Sequence, residues 1–250
     1  NYAMTDGTYA YWVVADSGTP GRIERVALAG GTPEVLAMPG LAFSGMAMDA
    51  THIYWSESSI ADFSNIFRCP LAGCDGQPPE TILATGDEFT IWRDIQVVGD
   101  QLVFGGRRTG EPMYEISVMP KDGGVPAKIA DSPGQTLKVL SDGSAVFWLA
   151  DDMLRSVPLV GGAVTTVVPD FFHVADIALS QDDVYWADSS FQGGFPDGIY
   201  SAAKTGGPVS KLVDADSPFR LTVDDNNNIV YADSGASGYE PTGIYRVSAA

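Results

Sequence analysis

An all-β fold, a six-bladed β-propeller of four-stranded antiparallel blades, is what this sequence predicts, and three observations carry the prediction. An aromatic-led strand recurs along the chain, a second strand follows each copy, and a glycine pair falls at a set place after the second strand. The repeat is about 44 residues long, which is the period of a four-stranded blade.

The aromatic strand reads Tyr11-Trp12, Tyr54-Trp55, Val103-Phe104, Phe147-Trp148, Tyr185-Trp186 and Val230-Tyr231. An acid follows closely in five of the six copies, as in Trp55-Ser56-Glu57, Trp186-Ala187-Asp188 and Tyr231-Ala232-Asp233. Large flat side chains at this place fill the wedge between blades packed face to face. The third copy departs from the signature with Val103-Phe104-Gly105-Gly106.

The second strand opens with Ile or Leu at 23, 66, 116, 154, 199 and 244. The glycine pairs follow as Gly30-Gly31, Gly123-Gly124, Gly161-Gly162 and Gly206-Gly207, and Gly73-Cys74 holds the same place in the second repeat. Glycine belongs there because the turn needs backbone angles that other residues adopt only at a cost.

The two remaining strands complete each blade. A short apolar strand a precedes the aromatic strand b, as at 45–48, 94–97 and 176–179. A strand d follows the glycine pair at 33–37, 79–84, 126–130, 164–168 and 208–213. Most of these open on Pro, which fits the start of an outer edge strand, where a missing N–H does least harm. One domain over 1–250 is expected, with blades near 1–44, 45–90, 91–136, 137–175, 176–219 and 220–250.

The last blade is expected to lack its outer strand, because Ser248-Ala249-Ala250 stands where the turn into strand d should begin. The first residues, 2–4, read as a strand a and do not supply it. The natural chain continues, the blade has three strands, or another chain donates the fourth. An open edge invites strand addition.

Composition narrows the partners. Asp plus Glu number 32 against 14 Lys plus Arg, a net charge of −18 that repels nucleic acid and anionic membrane surfaces. No apolar run reaches the roughly 18 residues of a membrane span. Cys69 and Cys74 have no second pair or nearby His to make a zinc site, so a local disulfide is expected. That implies an oxidising compartment and a short staple of about 2 kcal/mol. No signal peptide is legible and the chain opens inside a strand-like segment, so a mature or trimmed form is expected.

The residues that begin strand a line the mouth of a propeller's channel: Gly45, Asp94, Leu137, Asp176 and Arg220, with Asn1 or Tyr2 in the first blade and Trp92, Arg93, His173 and Phe219 nearby. Asp94, Asp176 and His173 suit a divalent ion, calcium above all. Otherwise the two acids pair with Arg93 and Arg220. The long b–c loops carry Phe63, Phe191, Phe195 and Tyr239, either as a partner surface or tucked against neighbouring loops. The run Asp224-Asp225-Asn226-Asn227-Asn228 reads as a plain Asn/Asp turn. No nucleophile elbow, P-loop or H-E-x-x-H zinc motif appears.

Tyr185-Trp186-Ala187-Asp188 and Tyr54-Trp55-Ser56-Glu57 resemble the YWTD repeat of lipoprotein-receptor propellers. The fuller string, including Phe67-Arg68-Cys69-Pro70-Leu71-Ala72-Gly73-Cys74, resembles repeat proteins of myxobacteria and related bacteria. That resemblance implies a secreted or cell-surface propeller and assigns no activity. Similarity to gluconolactonase-type propellers would imply a central metal held by carboxylates and Asn, but no early Glu or clear Asn partner is legible here. The expectation is a non-enzymatic extracellular module that binds protein or self-assembles, with a metal-dependent hydrolase or lyase as the alternative.

Overall fold

The computed structural model describes residues 3–14, 21–40, 42–58, 64–74, 76–84, 89–169, 174–189, 197–234 and 243–248, with backbone alone at 92 and 93. Six antiparallel sheets form the blades of a six-bladed β-propeller, five with four strands and the last with three. The first three blades are β1 (Ala3–Thr5), β2 (Tyr9–Val14), β3 (Arg22–Ala27) and β4 (Glu34–Ala37); β5 (Ala42–Met48), β6 (His52–Ser58), β7 (Ser64–Pro70) and β8 (Glu80–Ala84); and β9 (Phe89–Val98), β10 (Gln101–Arg108), β11 (Tyr114–Pro120) and β12 (Ala127–Ser132). The next two are β13 (Lys138–Ser141), β14 (Ala145–Ala150), β15 (Met153–Pro158) and β16 (Thr165–Val168); and β17 (Val174–Leu179), β18 (Asp183–Asp188), β19 (Gly198–Ala203) and β20 (Ser210–Asp214). Blade 6 is β21 (Pro218–Val223), β22 (Asn228–Asp233) and β23 (Gly243–Ser248). The chain divides into two compact units, Asn1–Val139 and Leu140–Ala250.

The aromatic pair feeds two cores at once, because successive side chains leave a strand on opposite faces. In the first unit, Tyr54 lies in the core shared by blades 2 and 3, with Ile66, Phe89 and Phe104. Its neighbour Trp55 lies in the core shared by blades 1 and 2, with Tyr11 and Ile23. In the second unit, Tyr185 joins Ile199, Leu221 and Tyr231 between blades 5 and 6. Trp186 joins Phe147, Leu154 and Val167 between blades 4 and 5. The second ring of the pair also stacks on its cross-strand neighbour in strand c: Trp55 on Phe67 at 5.8 Å, Trp186 on Tyr200 at 5.7 Å and Tyr231 on Tyr245 at 5.4 Å.

The turns follow the sequence. All five glycine positions close the same c–d turn, with the N–H of Gly30, Gly73, Gly123, Gly161 and Gly206 donating to the carbonyl three residues back at 2.8–3.0 Å. Their φ angles run from 85° to 115°, the left-handed region that glycine enters freely. The short b–c connection of blade 4 is a two-residue turn, Asp151-Asp152, both at positive φ, which matches the twist of a tight hairpin.

Strand a is longer than the sequence suggests. It begins at Ala42, Phe89, Val174 and Pro218, ahead of the expected 45, 94, 176 and 220. A β-bulge interrupts the pairing of strands a and b in each case, between Phe43 and Gly45, between Ile91 and Ile95, between Val174 and Asp176, and between Pro218 and Arg220. Extra residues, one in blades 2, 5 and 6 and two in blade 3, interrupt the ladder, so the first half of the strand does not read as a continuation of the second. Strand d carries a bulge in all five blades that have one, always at an aliphatic residue: Leu36, Ile82, Ile129, Val167 and Leu212.

Blade 3 has Gly105 and Gly106 where blades 2 and 5 have a small residue and an acid, for a steric reason. A Cβ on Gly106 would lie 2.3 Å from the Phe89 ring and 2.4 Å from the Thr90 carbonyl oxygen, and one on Gly105 would lie 2.5 Å from Thr136 Oγ1. Phe89 fills the space from strand a instead, edge-on to Phe104 at 5.9 Å.

Candidate functional site

The acids of the repeat are structural anchors. Glu57 Oε2 accepts the Gly40 N–H at 3.0 Å and its Oε1 accepts Trp55 Nε1–H at 2.8 Å. Asp233 accepts the N–H groups of Asp216 and Ser217 at 3.0 and 3.1 Å. In both blades the strand-b acid ties down the loop that enters the same blade, and in blade 6 it satisfies the buried Ser217 amide. Asp188 is fully buried at the equivalent place, and the loop before its blade lies outside the described residues.

A second set of acids closes the a–b turns and latches neighbouring blades. Asp49 accepts the N–H groups of Thr51 and His52, the Tyr54 hydroxyl at 3.0 Å and Lys121 Nζ of the next blade at 3.0 Å. Asp142 accepts the N–H groups of Ser144 and Ala145 and Lys204 Nζ of the next blade at 2.7 Å. Burial raises the Asp49 carboxyl, but the Thr51 hydroxyl, Lys121 and two amides outweigh it and hold the group well below the usual carboxylate range. Asp142 is low for the same balance, with Lys204 the leading donor.

The sequence-predicted residues fall in several places. Asp94 is buried in β9 of the first unit, and Asp176 is buried in β17 of the second. Asp176 Oδ1 accepts its neighbour Ile177's N–H at 3.0 Å, and Oδ2 accepts the Leu221 N–H of the next blade at 3.1 Å. Arg220 is exposed in β21 and Phe219 is half-buried. Gly45 is buried in β5, and Leu137 lies just before β13. His173, Phe63, Phe191, Phe195, Tyr239, Asn1 and Tyr2 lie outside the described residues, as do the side chains of Trp92 and Arg93. Among the described residues, no three His, Cys, Asp or Glu side chains are grouped to hold a metal ion. Cys69 and Cys74 form a disulfide with their Cα atoms 5.5 Å apart.

The open edge of blade 6 sets it apart from the other five. Among the described residues, no strand pairs with the outer side of β23. Ile23, Ile66, Leu154 and Ile199 lie early in strand c and are fully buried in cores shared with the following blade, whereas Ile244 in the same place is 78 % exposed. Tyr245 is 44 % exposed and its ring stacks on Tyr231. Arg246 pairs with Asp224 of its own a–b turn at 2.5 Å. The Asp224 carboxyl is held below its usual value, first by the Asn228 N–H.

No protein-family model matches the chain, and no characterised protein matches it in sequence. Solved structures share its fold. A chain of a nidogen/laminin complex superposes with a TM-score of 0.64 at 15 % identity, covering 95 % of this chain and 92 % of that one. TolB from Acinetobacter baumannii gives 0.66 at 17 %, covering 96 % and 61 %. An oligogalacturonate lyase in complex with manganese gives 0.67 at 12 %, covering 97 % and 74 %. Identities this low establish one thing, the β-propeller architecture.

Proposed function

We propose that this protein is an extracellular β-propeller that binds a protein partner or assembles through the open edge of its last blade. The carrying observation is the outer side of β23, with which no strand pairs among the described residues. Pairing a strand of the partner along that side gives such a contact its direction. The disulfide supports an oxidising compartment. The likeness to secreted bacterial repeat proteins supports a place outside the cell, and the nidogen/laminin structure is a case of this fold within a protein complex. The test is native mass spectrometry of protein isolated from its source, repeated with Ile244→Asp. The proposal expects a multimer or a bound polypeptide that the variant loses while its thermal midpoint stays put. A monomer at high concentration with the amides of 243–248 protected would overturn it.

A metal-dependent hydrolase or lyase is the second reading. It draws on the burial of Asp94 and Asp176 and on the manganese-bound lyase among the structures of like fold. It expects a divalent ion, with calcium the first to assay, and turnover that Asp94→Ala and Asp176→Ala each abolish. Metal content and turnover unchanged in both variants would end it.

A further inference from the structure

Four of the five c–d turns carry a second glycine at φ 142–145°, namely Gly31, Gly124, Gly162 and Gly207. Blade 2 has Cys74 in that place, outside the positive-φ region. Its turn takes a different course at that residue, and the bond to Cys69 closes it. Cys69 stands near the end of strand c, where Met119, Val157 and Ala202 stand in blades 3, 4 and 5, all of them buried. The bridge belongs to the core between blades 1 and 2. Cys69 is fully buried there with Tyr11, Ile23 and Trp55, and Leu71 and Cys74 pack against them.

Two other c–d turns are held to the preceding blade by charge. Lys121 of blade 3 reaches Asp49 of blade 2 at 3.0 Å, and Asp122 beside it pairs with Arg68. Lys204 of blade 5 reaches Asp142 of blade 4 at 2.7 Å. Blade 2 has Leu71 and Ala72 where blade 3 has Lys121 and Asp122, so its turn brings no charged side chain there. Blade 1 holds it through a backbone group instead. Arg25 Nη1 donates to the Leu71 carbonyl, while the same guanidinium pairs with Glu34 of its own blade at 3.1 Å. A long side chain can follow a turn that moves, but a carbonyl stays in place only while the turn keeps its shape. In blade 2 the bridge keeps that shape.

We infer that the Cys69–Cys74 bridge is a redox-sensitive latch that holds blade 2 against blade 1, and that a thiol reductant opens it. A thiolate attacks Sγ of Cys74, the more exposed of the two residues, and Cys69 leaves as a thiolate that takes up a proton. The second thiol of a dithiol then displaces Cys74, so two electrons and two protons pass to the protein and the reductant becomes a disulfide. The freed turn has no second glycine with which to adopt the shape of the other four, and the Leu71 carbonyl leaves Arg25. The contact that opens lies within the first compact unit.

Hydrogen exchange of the whole chain with and without excess dithiothreitol is the test, with intact mass reporting whether the bridge has opened. The amides of 22–27 in blade 1 and of 71–74 should exchange about tenfold faster once it is open, while those of 114–119 in blade 3 keep their rates. Cys69→Ala combined with Cys74→Ala should exchange at the fast rate with or without reductant. Faster exchange confined to 71–74 overturns the inference, because the bridge then staples its own turn and nothing else. Equally faster exchange at 114–119 overturns it as well, because that is a general loss of stability. So does a bridge that stays closed in excess dithiol, or a double variant that exchanges at the slow rate of the oxidised chain.

Discussion

Tyr11 and Tyr54 each place a phenol on the aspartate five residues earlier, Asp6 at 2.8 Å and Asp49 at 3.0 Å. Burial first, then the neighbouring carboxylate, pushes both phenols up to about 12 from the usual value near 10. A group whose folded value is raised lends stability that is complete below its unfolded value and is lost as pH climbs through the folded one. Stability should therefore fall between about pH 10 and 12, and ultraviolet titration should show these phenols ionising late; Tyr54→Phe should remove Tyr54's share of that fall. Phe147 takes the same place in blade 4 without a hydroxyl, and there Lys204 supplies the second donor to Asp142. At Gly106 the argument is steric. Gly106→Ala should cost about 2–3 kcal/mol, read from the denaturant midpoint, because the Thr90 carbonyl cannot move aside.

At the scale of the element, the latch between blades 4 and 5 is a pair of side chains only 12 % and 19 % exposed, Lys204 and Asp142. Lys204→Met should cost about 1–2 kcal/mol, since it leaves a half-buried carboxylate without its cation. Asp142→Asn with Lys204→Met should cost less than the two single changes summed, as a double-mutant cycle would show. The carboxylates of Asp49 and Asp142 sit below their ordinary value, so their contribution is complete above about pH 4 and is lost as pH falls toward their folded values. Acid unfolding should accordingly shift to lower pH in Asp142→Asn. The c–d turn of blade 2 carries its own staple. Reducing Cys69–Cys74 should lower stability by about 2 kcal/mol, measured as a denaturant midpoint with and without reductant.

At the scale of the whole molecule, the repeated blade gives its signature residues structural work. The rings of the signature are spent on cores between consecutive blades, and the acids hold loops and turns. The net charge of −18 leaves self-repulsion across the surface, so added salt should raise the thermal midpoint even though it screens the exposed ion pairs.

The repeat, the turn glycines, the disulfide and the three-stranded last blade were all legible in the amino-acid sequence, because each depends on local backbone geometry or on a fixed spacing. Gly30, Gly123, Gly161 and Gly206 announce their turns by residue type alone. Strand a was legible only in its second half, since the bulges at 43–45, 91–95, 174–176 and 218–220 break the two-residue period that marks a strand. Of the candidate site, Asp94 and Asp176 stood out as acids at a repeated place, but nothing in the spacing showed that Asp176 would accept the Leu221 amide 45 residues on. Arg246 and Ile244 were visible as members of a motif. Their surroundings were not, because what pairs with a strand and what packs on it are set by contacts between strands. Spacing along the chain determined which strands this protein makes; which side chains remain uncovered was decided by their packing in three dimensions.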